Sequence, residues 1–341
     1  MKLLLSLDYE LFFGANTGTV GKCLLAPISA LLNRVEKKGV KLSFFVDAIF
    51  LQRLRDQAGR FRCLQRDYDT IRSHLEGLNK SGHDIQLHLH PHWLGSSYNG
   101  LNWQVDTRQY RLHDFSDHEI GEIIHSGKNI LEEISNKGVF AFRGGGWCIQ
   151  PFDRIAGQLL RENIWLESTV FQGGTSADPT RWYDFKTAPD KDYWRFTDDP
   201  NHEKDSGPFM EVPISSFLTG PLLFWRMALA KKFGGNQHRS FGDGVTMTAN
   251  SEYYLRRLTS RTRSVVSIDG LKADMLKEAY RQNMPAGDKK LFHIMGHPKS
   301  LTRYSIARFG DFIDSNSFEY FTFQDLASLK NNYPRRAHEK I

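Results

Sequence analysis

The segment HDIQLHLHPHW, residues 83–93, holds His83, His88, His90 and His92, four of the 13 histidines in the chain. Buried structural histidines tend to occur singly, so this density points to a metal, a proton relay or a chance run. Two imidazoles and one carboxylate make a common catalytic zinc shell with room for a water. Such a metal lowers the pKa of the water and polarises a carbonyl. A second carboxylate could take the proton of the water, and a distant histidine could protonate a leaving group. The chain carries these parts. Asp8 and Glu10 stand two residues apart, able to share one side of an extended segment, and Arg143 and His297 lie far along the sequence.

Residues so distant meet only if the fold gathers them. KLLLSLDYEL reads as a strand, followed by a helix in which Ile28, Leu31, Leu32 and Val35 recur at i, i+3, i+4, i+7 and Gly39 stops the run. KLSFFVD, DIQLHLH, VFAFRGGG and IWLESTV read as further strands. Between them lie TIRSHLEGLNKSG, a helix opened by a Ser116/Glu119 capping box, and FDRIAGQLLREN. Alternation of this kind predicts parallel strands joined by right-handed crossovers, and the number of units favours a barrel over an open sheet. In such barrels the active site lies at the C-terminal strand ends. Those ends carry Asp8 and Glu10, Asp47, His88 to His92, Arg143 and His297. The pattern breaks over about 173–263, read as a long insertion in the C-terminal half of a single catalytic domain spanning 1–341. It resumes at VVSIDG, KADMLKEAYRQ, LFHIMGH and TFQDLASLKNN, and RRAHEKI reads as a frayed tail.

The bulk composition excludes several classes. With 40% hydrophobic residues over 341 positions the chain can bury a large core. Three widely spaced cysteines, Cys23, Cys63 and Cys148, show no zinc-finger or CxxC spacing and read as reduced thiols of a cytoplasmic protein. MKLLLSLDYELFFG is interrupted by Asp8 and Glu10 and reads as a strand rather than a leader. No run is long and apolar enough for a transmembrane helix. The net charge of +6 suits an anionic substrate or membrane surface, and no nucleic-acid motif accompanies the basic run Arg256, Arg257, Arg261, Arg263.

In this order, LSLDYELFFG, SGHDIQLHLHPHW, AFRGGGW and LFHIMGHP resemble four of the five motifs of the NodB-homology polysaccharide deacetylases, the family 4-like carbohydrate esterases. The resemblance implies a distorted (β/α) barrel of fewer than eight regular units and metal-dependent hydrolysis of an acyl group from a sugar. It implies Asp8 as general base, with Glu10 as metal ligand because Tyr9 occupies the adjacent position. It implies His88 and His92 as the other ligands, from the H-x-x-x-H motif. It implies Arg143 as the residue that orients the base and His297 as general acid. The chain departs from the pattern at Gly145, where the third motif usually has Pro, and WLESTVF with Glu167 stands in place of an Asp-Trp fourth motif. The cofactor implied is a divalent metal, zinc first, with manganese or cobalt as alternatives.

The remaining residues carry two readings each. His90 is a helper beside the metal or structural, and Asp47 lines the rim or caps a turn. Trp147 follows the glycine turn 144–146 and could meet substrate. Trp182, Tyr183 and Trp194 could stack on sugar rings or pack the insertion. Phe217 to Phe233 is an interfacial helix in peripheral contact with lipid, or a buried or dimer-forming one. The expected activity is removal of an N-acyl (acetyl) group from a sugar unit, nucleotide- or lipid-linked, in surface-glycan or lipopolysaccharide assembly. The alternatives are a non-catalytic glycan-binding barrel and a hydrolase of another amide.

Overall fold

The structure, a computed structural model, describes residues 1–247, 251–284 and 289–332; the tail RRAHEKI lies outside them. The chain builds β1 (Lys2–Tyr9), β2 (Ser43–Asp47), β3 (Asp84–Leu89), β4 (Ala141–Gly144) and β5 (Leu166–Glu167). Then follow β6 (Trp194–Phe196), β7 (Phe209–Glu211), β8 (Ser216–Thr219), β9 (Thr262–Val265), β10 (Leu291–Gly296) and β11 (Glu319–Phe321). β2 to β5 and β10 are buried along their whole length, as parallel strands covered on both faces must be. Alternation sends Leu3, Leu5 and Leu7 into the main core and Leu4 into a second cluster with Phe45, Ala141, Met210 and Phe323.

The sheet order is β6-β7-β5-β4-β3-β2-β1-β10, and β11 also pairs with the start of β1. Every pair along this path is parallel except β6 with β7. The sheet curls until the chain beyond β7 reaches β10. There the Ser215 N–H donates to the His293 carbonyl at 3.1 Å and the His293 N–H to the Ser215 hydroxyl at 3.0 Å. The barrel therefore shuts through single hydrogen bonds rather than a full ladder, which is the distorted (β/α) barrel that the alternation predicts.

Most outer helices follow the sequence pattern, and the helices Ala48–Ala58 and Arg303–Asp314 are additions to it. α1 (Ala26–Val35) buries Ile28, Leu31 and Val35. α2 (Ala48–Ala58) and α3 (Arg62–Lys80) connect β2 to β3, α4 (Asp117–Ser135) leads to β4, and α5 (Asp153–Arg161) to β5. The capping box of α4 forms, with the Ser116 N–H donating to Glu119 at 2.8 Å and the Glu119 N–H to the Ser116 hydroxyl at 3.4 Å. The stretch about 173–263 is only in part an insertion, because it supplies β6 and β7 to the main sheet. The sequence shows a short strand at Glu211, Val212, Pro213 and Ile214, which the structure sets earlier at Phe209–Glu211, and strands of three residues have too few positions to show a period. The stretch also includes α6 (Pro221–Phe233), α7 (Ser251–Thr259) and, with residues just beyond it, the antiparallel pair β8–β9.

Candidate metal centre and active site

Asp8, near the end of β1, points into the barrel and meets Arg143 of β4, whose guanidinium donates to the Asp8 carboxylate at 2.6 Å. Arg143 is 2% exposed, and a charge so buried persists only if every donor is satisfied. Its Nε donates to the Ser168 carbonyl at 2.7 Å, its other terminal nitrogen to the Ser6 hydroxyl at 2.9 Å, and its plane lies over the Phe45 ring at 4.0 Å. The Ser6 hydroxyl in turn is 2.7 Å from His293 Nε2, and His293 Nδ1 donates to the Pro213 carbonyl at 3.0 Å. Burial and then Arg143 hold the His293 pKa well below its ordinary value, so it is a neutral member of the interior network. Arg143 thus fixes one oxygen of Asp8 and leaves the other facing the cavity.

Glu10, His88 and His90 form the cluster able to hold a metal, with one ligand atom from each all within 4.8 Å of one another. Glu10 Oε2 lies 3.2 Å from His88 Nε2 and 2.5 Å from His90 Nε2, and the two imidazole nitrogens are 3.1 Å apart. His88 Nδ1 donates to the Arg143 carbonyl at 2.8 Å, which fixes the tautomer and turns the Nε2 lone pair toward Glu10. Two imidazole nitrogens and a carboxylate oxygen converging on one point fit a divalent cation of the zinc, manganese or cobalt kind. Burial works to raise the Glu10 pKa, yet Lys299, His90 and His88 hold it well below the carboxylate range. Burial likewise opposes charge on His88, but Asp8, Glu10 and Asp47 raise its pKa overall. The centre is therefore a place that attracts positive charge.

His92 does not join this cluster, although the spacing H-x-x-x-H pairs it with His88. His88 and His90 are two residues apart in an extended segment, so they face the same way. Pro91 then opens a 3-10 turn, Pro91–Leu94, that carries His92 aside. Its ring stacks on Tyr110 with centroids 5.5 Å apart and on Trp93 at 5.3 Å. Neither of its nitrogens finds a hydrogen-bond partner among the described residues, and the same holds for His90 Nδ1. Burial and then His90 push the His92 pKa well below the usual range, so it packs as a neutral aromatic ring. Gly145 belongs to the same arrangement. A Cβ there would lie 2.5 Å from the Leu89 carbonyl oxygen and 2.7 Å from the His90 ring, so only glycine lets His90 stand where it does.

His297, just beyond β10, completes the rim. Its Nε2 is 3.7 Å from Asp8 and 3.8 Å from Glu10, and its Nδ1 donates to Asp269 at 2.8 Å. Burial disfavours the charged ring, but Asp269, Asp8 and Glu10 raise its pKa overall. Asp269 and Lys299 escape the sequence reading. Lys299 is 6% exposed, and its ammonium meets Glu10 Oε1 at 2.9 Å, leaving Oε2 to the two imidazoles. Each carried a signal: Asp269 ends the VVSID segment as the other polar residues end theirs, and Lys299 follows His297 by two residues.

Three residues expected near the site divide. Trp147 lines the cavity, its ring 5.7 Å from Phe171 and 5.9 Å from Tyr183. Asp47 is buried below the cluster, accepting from the Trp93 indole at 2.7 Å and capping α2 through the Phe50 N–H at 3.5 Å. Glu167 faces away from the cavity. It accepts from the Thr169 N–H at 2.9 Å and from the Thr169 hydroxyl, which also receives the Gly144 N–H at 2.8 Å. Its register partner on β7 is Glu211, and the two carboxyls are buried side by side. Burial and then Glu167 push the Glu211 pKa well above its ordinary value.

A raised carboxyl pKa means that the folded chain holds more protons than the unfolded one. This contribution to stability is full below the unfolded value and is lost as pH rises through the folded value. Glu211→Gln keeps the bond to the Val170 N–H and removes the titration. Thermal unfolding of this variant is expected to show a gain of about 1–2 kcal/mol at pH 7 that shrinks toward pH 4. Equal stabilities at both pH values would show that the pair is not proton-sharing.

The rim opens into a cavity of about 620 Å³. Its floor holds Asp8, Glu10, His88, His90, Arg143 and His297, and its walls Tyr110, Trp147, Trp182 and Tyr183 with Arg181, Lys186 and Arg256. Trp194 is fully buried and packs the fold instead.

No protein-family model matches the chain and no curated protein matches it. Solved structures do. A Mycobacterium smegmatis protein described as a polysaccharide deacetylase is similar at 13% identity and TM-score 0.49, over 96% of this chain and 89% of that one. An allantoinase is similar at 14% identity and TM-score 0.46, over 94% and 86%. A family 4 acetyl xylan esterase from Clostridium thermocellum, solved with a cobalt ion, is similar at 11% identity and TM-score 0.38, over 96% and 91%. At such identities no residue role passes from these proteins to this chain.

Proposed function

We propose that the chain is a metal-dependent hydrolase of the polysaccharide-deacetylase type, removing an N-acetyl group from a sugar unit in surface-glycan or lipopolysaccharide biosynthesis. The observation that carries this reading is the convergence of Glu10, His88 and His90 beside two proton-handling pairs, Asp8–Arg143 and His297–Asp269, on one cavity floor. A divalent cation, zinc first, held by the three ligands would acidify a nearby water and polarise an acyl oxygen. Asp8 presents its free oxygen to take the proton of the water, because Arg143 occupies the other. His297 donates from Nε2 to the departing nitrogen, because Asp269 holds Nδ1–H and favours the imidazolium. Lys299 locks Glu10 so that one oxygen stays with the imidazoles.

The walls support the substrate class. Trp147, Trp182 and Tyr183 offer flat apolar faces for a sugar ring, and Arg256 offers charge for a phosphate, as in a nucleotide- or lipid-linked sugar, whereas Arg181 and Lys186 pair with Asp178 and Asp184 of the same wall. The three cysteines stand unpaired, which supports a reducing cytoplasmic setting. No helix among the described residues is long and apolar enough to cross a membrane. The test is metal analysis of the purified chain together with acetate release from N-acetylated sugars, free and nucleotide-linked. One bound metal per chain and metal-dependent acetate release are expected. Metal without acetate release would move the substrate to another amide, and no metal even after reconstitution would leave a glycan-binding barrel.

A further inference from the structure

A surface outside the cavity takes no part in this chemistry. α6, PLLFWRMALAKKF, is apolar nearly all round, yet it lies on the outside of the molecule. Its inner side is filled: Leu223 is buried, and the Phe224 ring lies 5.0 Å below the guanidinium of Arg257. On the outer side Leu222, Trp225, Leu229 and Phe233 are 72%, 52%, 56% and 71% exposed. At 3.6 residues per turn these four fall within an arc of about 80°. Leu218 on β8 and Leu255 on α7, the helix packed against α6, are exposed as well. A contiguous apolar surface of this kind marks an interaction site.

The charge around it selects the partner. No acidic residue stands between Glu211 and Asp243, whereas Arg226, Lys231, Lys232 and Arg239 do. By helical position Lys232 lies on one margin of the stripe and Arg226 on the other. Lys232 sits 5.2 Å over the Phe233 ring, and Arg226 is held by Asp274 at 2.7 Å. A second copy meeting this face through a two-fold contact would set these cations against one another. The Trp225 indole N–H donates to the Leu258 carbonyl at 3.1 Å, so its exposed ring is held in place as an apolar wedge.

We propose that the outer face of α6 with its flanks docks on an anionic lipid bilayer. The stripe enters the headgroup–acyl boundary while Lys232 and its neighbouring cations meet the headgroup charge. α7 packs against α6 and carries Arg256 into the cavity wall, so the docked surface and the cavity share one helix. This docking does not depend on the deacetylase reading.

The test is flotation of the full chain with phosphatidylcholine vesicles, with and without phosphatidylglycerol, compared with a Leu222→Gln, Leu229→Gln, Phe233→Gln variant. The wild type is expected to float with the anionic vesicles, less so at high salt. The variant, changed only at exposed positions, is expected to lose binding by at least about tenfold with an unchanged unfolding midpoint. It should still deacetylate a water-soluble sugar, so a failure of docking is distinguishable from a failure of the catalytic assignment. Absence of flotation, or flotation that the variant retains, overturns the proposal. So does a dimer in solution that the variant dissolves, which would assign the face to a second copy.

Discussion

His90→Phe is expected to lose the bound metal, whereas His92→Phe keeps it. The two changes are chemically the same, and both positions are buried. They differ in what the ring nitrogens do. His90 Nε2 lies 2.5 Å from Glu10 and 3.1 Å from His88 Nε2, so a benzyl ring there removes one of three converging donors. Loss of an outer-shell partner alone costs about 10–100-fold in metal affinity, and loss of a ligand is expected to exceed that. At position 92 a phenyl ring fills the slot between Tyr110 and Trp93 and breaks no hydrogen bond, since neither nitrogen makes one among the described residues. Metal titration followed by calorimetry reads both variants. Loss of metal in His92→Phe with retention in His90→Phe would restore the H-x-x-x-H ligand pair.

Asp8→Asn is expected to retain the metal and lose about 10²–10⁴-fold in kcat. The amide keeps the volume of the carboxylate but cannot take a proton, and Asp8 is not among the three cluster ligands. Its carboxamide oxygen can still accept from Arg143, so the barrel network through Ser6 and His293 survives and the fold is expected to hold. Equal loss of metal and activity would place Asp8 in the metal shell. Full activity in this variant would move the base elsewhere, with His297 and its Asp269 partner the group already at the same rim.

Much of this site is legible in the chain alone because a parallel barrel converts strand ends into neighbours. Asp8, Glu10, His88, Arg143 and His297 each close an apolar run, and the structure brings all five to one floor. Asp269 obeys the same rule and was open to the same reading. Lys299 carried only the weak signal of standing two residues beyond His297, and a lysine beyond a strand reads as solvated surface until burial against Phe12 and Phe13 is seen.

The sequence by itself determined the alternation of strands and helices, the barrel that follows from it, the capping of α4, and the identity of the residues at the rim. Those features rest on periods of two and 3.6 residues, which are local. What only the tertiary structure decided is which imidazole faces the metal point, that Lys299 clamps the other oxygen of Glu10, and that Glu167 turns away to pair with Glu211. It also decided that β6 and β7 belong to the main sheet. These outcomes depend on the turn at Pro91, the missing Cβ at Gly145 and contacts across more than a hundred residues of chain, and no local pattern encodes them.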